Sequence, residues 1–120
     1  MPSNSDSGAE TGSNAKSGAD VSIRDFQQLI HKMYYEKDAE RGVAGTFMWL
    51  MEEIGELSAA LRDNKDRDNI EEEFADVLAW LVTIANVIDV DLTAAIQKKY
   101  GTGCPGCGDL VCSCPDEGKP

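Results

Sequence analysis

The sequence predicts an all-α fold, a four-helix bundle, on three observations. Between about residues 23 and 99, apolar residues recur at intervals of three, four and seven, the mark of amphipathic helices. No stretch alternates with period two over a useful length, so no strand is expected. Two acidic quartets, Glu52-Glu53-x-x-Glu56 and Glu72-Glu73-x-x-Asp76, interrupt apolar stripes on either side of a short polar spacer, as on the two arms of a helical hairpin.

Composition divides the 120 residues into three parts. Residues 1–20 are Ser, Gly, Asn and Ala with scattered charges, too poor in apolar surface to offset an ordering cost, and are expected to be a disordered tail. Residues 21–100 form the helical domain, and residues 101–120 a Cys-rich tail. The first part has neither the apolar run of a signal peptide nor the Arg-rich pattern of a transit peptide. No stretch reaches the roughly 18 apolar residues of a membrane span. A soluble, cytoplasmic protein with no membrane partner is expected.

In order along the chain, Ser22-x-x-Asp25 resembles a capping box. Ile23, Phe26, Leu29, Ile30, Met33 and Tyr34 then carry a first helix to about Glu40, which Gly42-Val-Ala-Gly45 is expected to break. His31, the only histidine, has no obvious acidic partner there and reads as a surface or rim residue rather than a ligand. Thr46 is the expected N-cap of a second helix running to about Arg62. Asn64–Asp68 is a polar turn, with Asp68 or Asn69 capping a third helix that reaches Val87 or Ile88. That helix is the most apolar, which places it centrally. Asp91 caps a fourth helix, Leu92 to about Lys99.

Residues three or four apart share a helix face. Glu53 with Glu56 and Glu73 with Asp76 therefore form two carboxylate pairs bordering buried faces, and a hairpin through Asn64–Asp68 would let them meet. Solvated bundle faces and a metal site are both compatible with this pattern. Four close carboxylates repel one another, and a hard divalent cation is the natural counterion; oxygen-only ligands favour magnesium or manganese over zinc. A di-iron bundle needs Glu-x-x-His on two helices, which one histidine cannot supply. The net charge of −11 opposes binding to nucleic acid. Ten acidic residues lie between Glu52 and Asp76 against Arg62, Lys65 and Arg67, a concentration that suggests a cation site.

The strings MEEIGELSAAL and EEFADVLAWLVTIANVIDVDL resemble the all-α nucleoside triphosphate pyrophosphohydrolases of the MazG type over about residues 25–99. The resemblance implies magnesium-dependent hydrolysis between the α- and β-phosphates, giving a nucleoside monophosphate and pyrophosphate. It implies Glu53, Glu56, Glu73 and Asp76 as metal ligands and Glu52 as the residue orienting or deprotonating the attacking water. Trp80 stands where such enzymes often place an aromatic against the base, and is otherwise a bundle aromatic. Asn86, Lys65, Lys98 and Lys99 are weaker substrate-binding candidates. Members often continue past the last helical lysine with Asn and Arg-Tyr-Pro; here Tyr100-Gly-Thr-Gly-Cys104 stands instead. A house-cleaning role on surplus or non-standard nucleotides follows from the resemblance. Phosphoribosyl-ATP pyrophosphatase chemistry is a related alternative, and a non-enzymatic acidic adaptor an unrelated one.

About 80 folded residues make a small core, so a homodimer or homotetramer is expected. The cysteines fall as Cys104-Pro-Gly-Cys107-Gly and Cys112-Ser-Cys114. This spacing resembles a zinc knuckle and can complete a tetrahedral thiolate site; a redox pair or free thiols are the other readings.

Overall fold

A computed structural model describes residues 19–115. The 18 residues before them and the five after lie outside the described part, and with them most of the tail expected to be disordered. Among the described residues there are three helices and no strand: α1 (Ile23–Asp63), α2 (Arg67–Val87) and α3 (Leu92–Tyr100). No single helix among them is long and apolar enough to cross a membrane.

The all-α class is observed, but with three helices rather than four. The expected first two run on as one 41-residue α1, but the helical geometry is broken within it at Gly42, as the Gly-rich stretch suggests: this residue takes φ 85° and ψ 175°. Only glycine adopts such a φ cheaply, and at Gly42 it kinks the chain between two helical segments of α1. Thr46 is accordingly no N-cap. Its buried hydroxyl donates to the Gly42 carbonyl (2.7 Å) and accepts from Arg41 (3.1 Å), covering the carbonyl where the kink interrupts helical bonding.

Ser22 caps α1 as expected, its hydroxyl accepting from the Asp25 N–H at 2.9 Å. Asn64, at φ 49°, closes the helix by returning its N–H to the Ala60 carbonyl. The turn is shorter than the sequence suggests. Asp66, not Asp68 or Asn69, caps α2 by accepting from the Asn69 N–H. Three residues therefore join α1 to α2, which forces the two helices antiparallel.

The core is narrow. Ile30, Ala79 and Val82 are buried together, with Phe26, Tyr34 and Leu92 packed on them. One polar clamp ties the three helices at this end. The Gln27 amide donates to Asn86 Oδ1 (3.1 Å) and to the Val90 carbonyl (2.7 Å), while its Oε1 accepts from the Leu92 N–H (3.0 Å). Asp91 caps α3 as expected, accepting from the Ala94 N–H at 3.1 Å. Two rows of large apolar side chains remain uncovered: Phe47, Met51 and Ile54 on α1, and Phe74, Leu78 and Leu81 on α2.

Candidate active site

The hairpin places the acidic quartets side by side. Glu53 faces α2 from one side, Glu73 and Asp76 face α1 from the other, and carboxylate oxygens of all three lie within 4.8 Å of one another. Each residue is half-buried. Glu53 Oε1 and Glu73 Oε1 are shut off from solvent and have no hydrogen-bond partner. Buried oxygens are normally partnered, and an unpaired carboxylate oxygen is among the costliest exceptions.

Burial is the first cause holding the Glu53 carboxyl above its ordinary range; Glu56, Asp76 and Glu73 add to it. Burial also leads for Glu73, followed by Glu56, Asp76 and Glu72. Glu56 is exposed and stands outside the trio, yet close enough for its charge to be felt by both. It lines a groove of about 290 Å³ with Asp63, Lys65, Asp66, Asn69 and Glu73. Lys65 is the one cation among the groove's lining residues. Glu52 is exposed, beside Glu53 but turned about 100° around the helix from it. An all-oxygen donor set with two unpartnered oxygens suits a hard divalent cation such as magnesium.

One helical turn from the carboxylates lies an aromatic pair. Trp80 follows Asp76 by four residues and Trp49 precedes Glu53 by four, and their rings stack at 5.9 Å and 11°. The Arg41 guanidinium lies 5.0 Å from the Trp80 ring centroid. Arg41 also holds Asp38, its Nη2 at 3.1 Å from Oδ1. Asp38 is only 2 % exposed, and its Oδ2 has no partner; neither does buried Trp80 Nε1. Sequence reasoning missed Asp38, Arg41 and the role of Trp49. The Asp38-x-x-Arg41 spacing was the available signal, masked because an i, i+3 ion pair ordinarily decorates a solvated face.

The remaining candidates lie elsewhere. Asn86 is buried and spends its side chain on Gln27, accepting at Oδ1 and donating from Nδ2 to the Gln27 carbonyl (3.3 Å). Lys98 and Lys99 occupy the last turn of α3, where Lys99 lies over Tyr100. Neither lines the acidic groove. His31 is exposed and stacks on Tyr35. Cys104, Cys107, Cys112 and Cys114 form a second cluster, their sulfurs within 4.8 Å of one another.

Comparison with known proteins bears on the acidic site. A family model for the MazG nucleotide pyrophosphohydrolase domain matches residues 42–107, which include both quartets but not Cys112 or Cys114. A dATP/dGTP diphosphohydrolase of Cyanophage S-2L is 35 % identical over 79 residues, 66 % of this chain and 70 % of the phage protein.

Proposed function

The chain belongs to the MazG nucleotide pyrophosphohydrolase family, and from that membership we propose a magnesium-dependent hydrolase of purine nucleoside triphosphates that releases a monophosphate and pyrophosphate. That it is a nucleotide pyrophosphohydrolase follows from the family. Magnesium, the purine and the residue roles are our reading.

One observation carries the reading: Glu53 and Glu73, each with a buried carboxylate oxygen that has no partner, converge with Asp76. Glu53, Glu73 and Asp76 would hold the cation, with Glu56 joining from the groove edge. Bound there, magnesium, or manganese in its place, would neutralise charge developing on the phosphate oxygens. The chain's own residues do the rest. The carboxylates repel a polyphosphate that arrives without a counterion, so substrate and cation are admitted together. Lys65, on the groove wall, meets the phosphate end. Glu52, exposed beside Glu53, would orient the attacking water and accept its proton.

The aromatic pair sets the base end. Trp49 and Trp80 lie one turn from the carboxylates, about 5–6 Å along the helices. We read the unpartnered Asp38 Oδ2, an acceptor, and the unpartnered Trp80 Nε1, an in-plane donor, as the groups that would meet the edge of a base held beside this pair. A purine edge offers both, and the phage relative is named for two purine nucleotides. The role we assign is removal of surplus or non-standard nucleotides.

The apolar rows on α1 and α2 recur at four and seven residues, and we read them as the interface of a homodimer or homotetramer. The four cysteines form a separate cluster, away from these carboxylates.

Purified full-length protein incubated with a panel of nucleoside triphosphates and magnesium tests the reading. Pyrophosphate released preferentially from purines, and abolished in Glu53→Gln, is expected. Release of inorganic phosphate instead, or turnover unchanged in excess chelator, would overturn it.

A further inference from the structure

We propose that Cys104, Cys107, Cys112 and Cys114 together hold one zinc ion, and that this ion, rather than a hydrophobic core, orders residues 101–115. The proposal is independent of the hydrolase reading, because it concerns other residues and a softer metal.

The sulfur spacing comes first. Cys104 Sγ lies 3.6 Å from Cys112 Sγ and 3.9 Å from Cys114 Sγ. A tetrahedral zinc–thiolate site with bonds of about 2.3 Å has edges of about 3.8 Å between sulfurs. The two distances bracket that edge, and all four cysteines are unpaired.

The backbone is arranged for thiolate sulfur. The Gly106 N–H donates to Cys104 Sγ (3.3 Å), the Ser113 N–H to Cys107 Sγ (3.4 Å) and the Cys114 N–H to Cys112 Sγ (3.3 Å). Three N–H groups turned onto sulfur stabilise negative charge there, as ligands to a cation require. The loop that aims them depends on Gly103, at φ 125°, where a Cβ would come within 2.8 Å of the Asp109 carbonyl oxygen. That carbonyl accepts from the Cys104 N–H at 2.9 Å, so the close approach is part of the fold of the loop.

Apart from a few exposed hydrogen bonds, no packed core holds the segment. Residues 101–115 contain no helix, no strand and no buried residue. Their two large aliphatic side chains, Leu110 and Val111, are 91 % and 85 % exposed. Fixing such a segment costs conformational entropy that apolar burial does not offset here. Metal binding supplies free energy of the required kind, since the thiolates converge only when the loop is closed.

The step is balanced without redox chemistry. Zinc bonds to four sulfurs, each thiol gives up its proton to solvent, and no electron moves.

Metal analysis of full-length protein purified without chelator should find about one zinc per chain. That zinc should survive dialysis against a chelator strong enough to remove magnesium. Gly103→Ala keeps every thiol but should weaken zinc retention about tenfold, the size expected for a disturbed ligand shell. A wild-type measurement stands beside the variant. Stripping zinc with a thiol-directed mercurial and chelator should open residues 101–115 to limited proteolysis, while far-UV circular dichroism of α1–α3 stays unchanged. Protein without zinc, protein carrying iron in its place, disulfides among the four cysteines, or a zinc-free segment as resistant to protease as before would each overturn the proposal.

Discussion

Replacing Glu73 with Gln is the sharpest test of the acidic site, because it changes charge at nearly constant volume. Glu73 is one of three residues whose carboxylate oxygens lie within 4.8 Å of one another. At that spacing two unit charges repel by about 0.9 kcal/mol in a water-like medium and about 3.5 kcal/mol at an effective dielectric of 20. The trio is half-buried, so solvent screening brings the figure toward the lower value. Glu73 belongs to two of the three pairs, and the relief on neutralising it is about 2 kcal/mol. For a domain of this size that is a rise of roughly 8 °C in Tm without metal.

The pH dependence gives the same test a sign. Burial and neighbouring carboxylates hold Glu53 and Glu73 above the ordinary value of 4.5. A raised folded value means the folded state binds the proton more tightly. This contribution to stability is complete below the unfolded value and is lost as pH rises through the folded one. The advantage of Glu73→Gln over wild type should therefore be small near about pH 4.5 and grow toward neutrality. Thermal melts followed by circular dichroism, in chelator and at fixed protein concentration, measure it. Magnesium should raise the wild-type Tm and leave the variant's nearly unchanged, while hydrolysis falls roughly 10²-fold. A variant that melts no higher than wild type without metal, or that keeps full hydrolysis, would refute the charge-cluster account.

Other outcomes follow from the same geometry. Trp49 and Trp80 are the only tryptophans in the chain, so a purine nucleotide bound to catalytically silent Glu53→Gln protein should change intrinsic fluorescence; a flat titration would remove the stack from the binding site. Asp38→Asn turns one of two acceptor oxygens into a donor and weakens the Arg41 pair, and should raise KM for purine triphosphates about tenfold with little change in kcat; equal losses in both would point to a role in folding. Leu78→Glu, which puts a charge into the exposed α2 row, should reduce the particle size seen by light scattering; a wild-type protein already monomeric and active at low micromolar concentration would contradict the proposed interface.

The sequence was most informative where periodicity and chemistry coincided. Glu53, Glu73 and Asp76 could be assigned to facing helices because helical spacing and a short polar spacer together leave few arrangements. The same logic located the Asp91 cap and the Cys cluster. At Gly42 the expected break is present as a kink, but a single glycine at positive φ makes it, and Thr46 is not an N-cap but donates its hydroxyl to the Gly42 carbonyl. Sequence logic failed at Asp38 and Arg41, whose burial depends on how α1 packs against Trp80 and cannot be read from local pattern. Asn86 shows the converse. Its polarity in an apolar run was visible, but its partner Gln27 lies 59 residues away.

The three-residue connection between α1 and α2 bears on the order in which the molecule assembles. Pairing across it joins neighbours in the chain and costs little loop entropy, whereas docking Gln27 onto Asn86 and Val90 closes loops of 59 and 63 residues. The hairpin carrying the carboxylates is therefore expected to form early, with the segment before Gly42 joining it afterwards. In hydrogen exchange, amides near Ala60 and Ile70 would then gain protection before those near Ile30. A nascent chain would thus bring the carboxylate trio together, and with it the proposed cation site, before Trp80 has met Arg41.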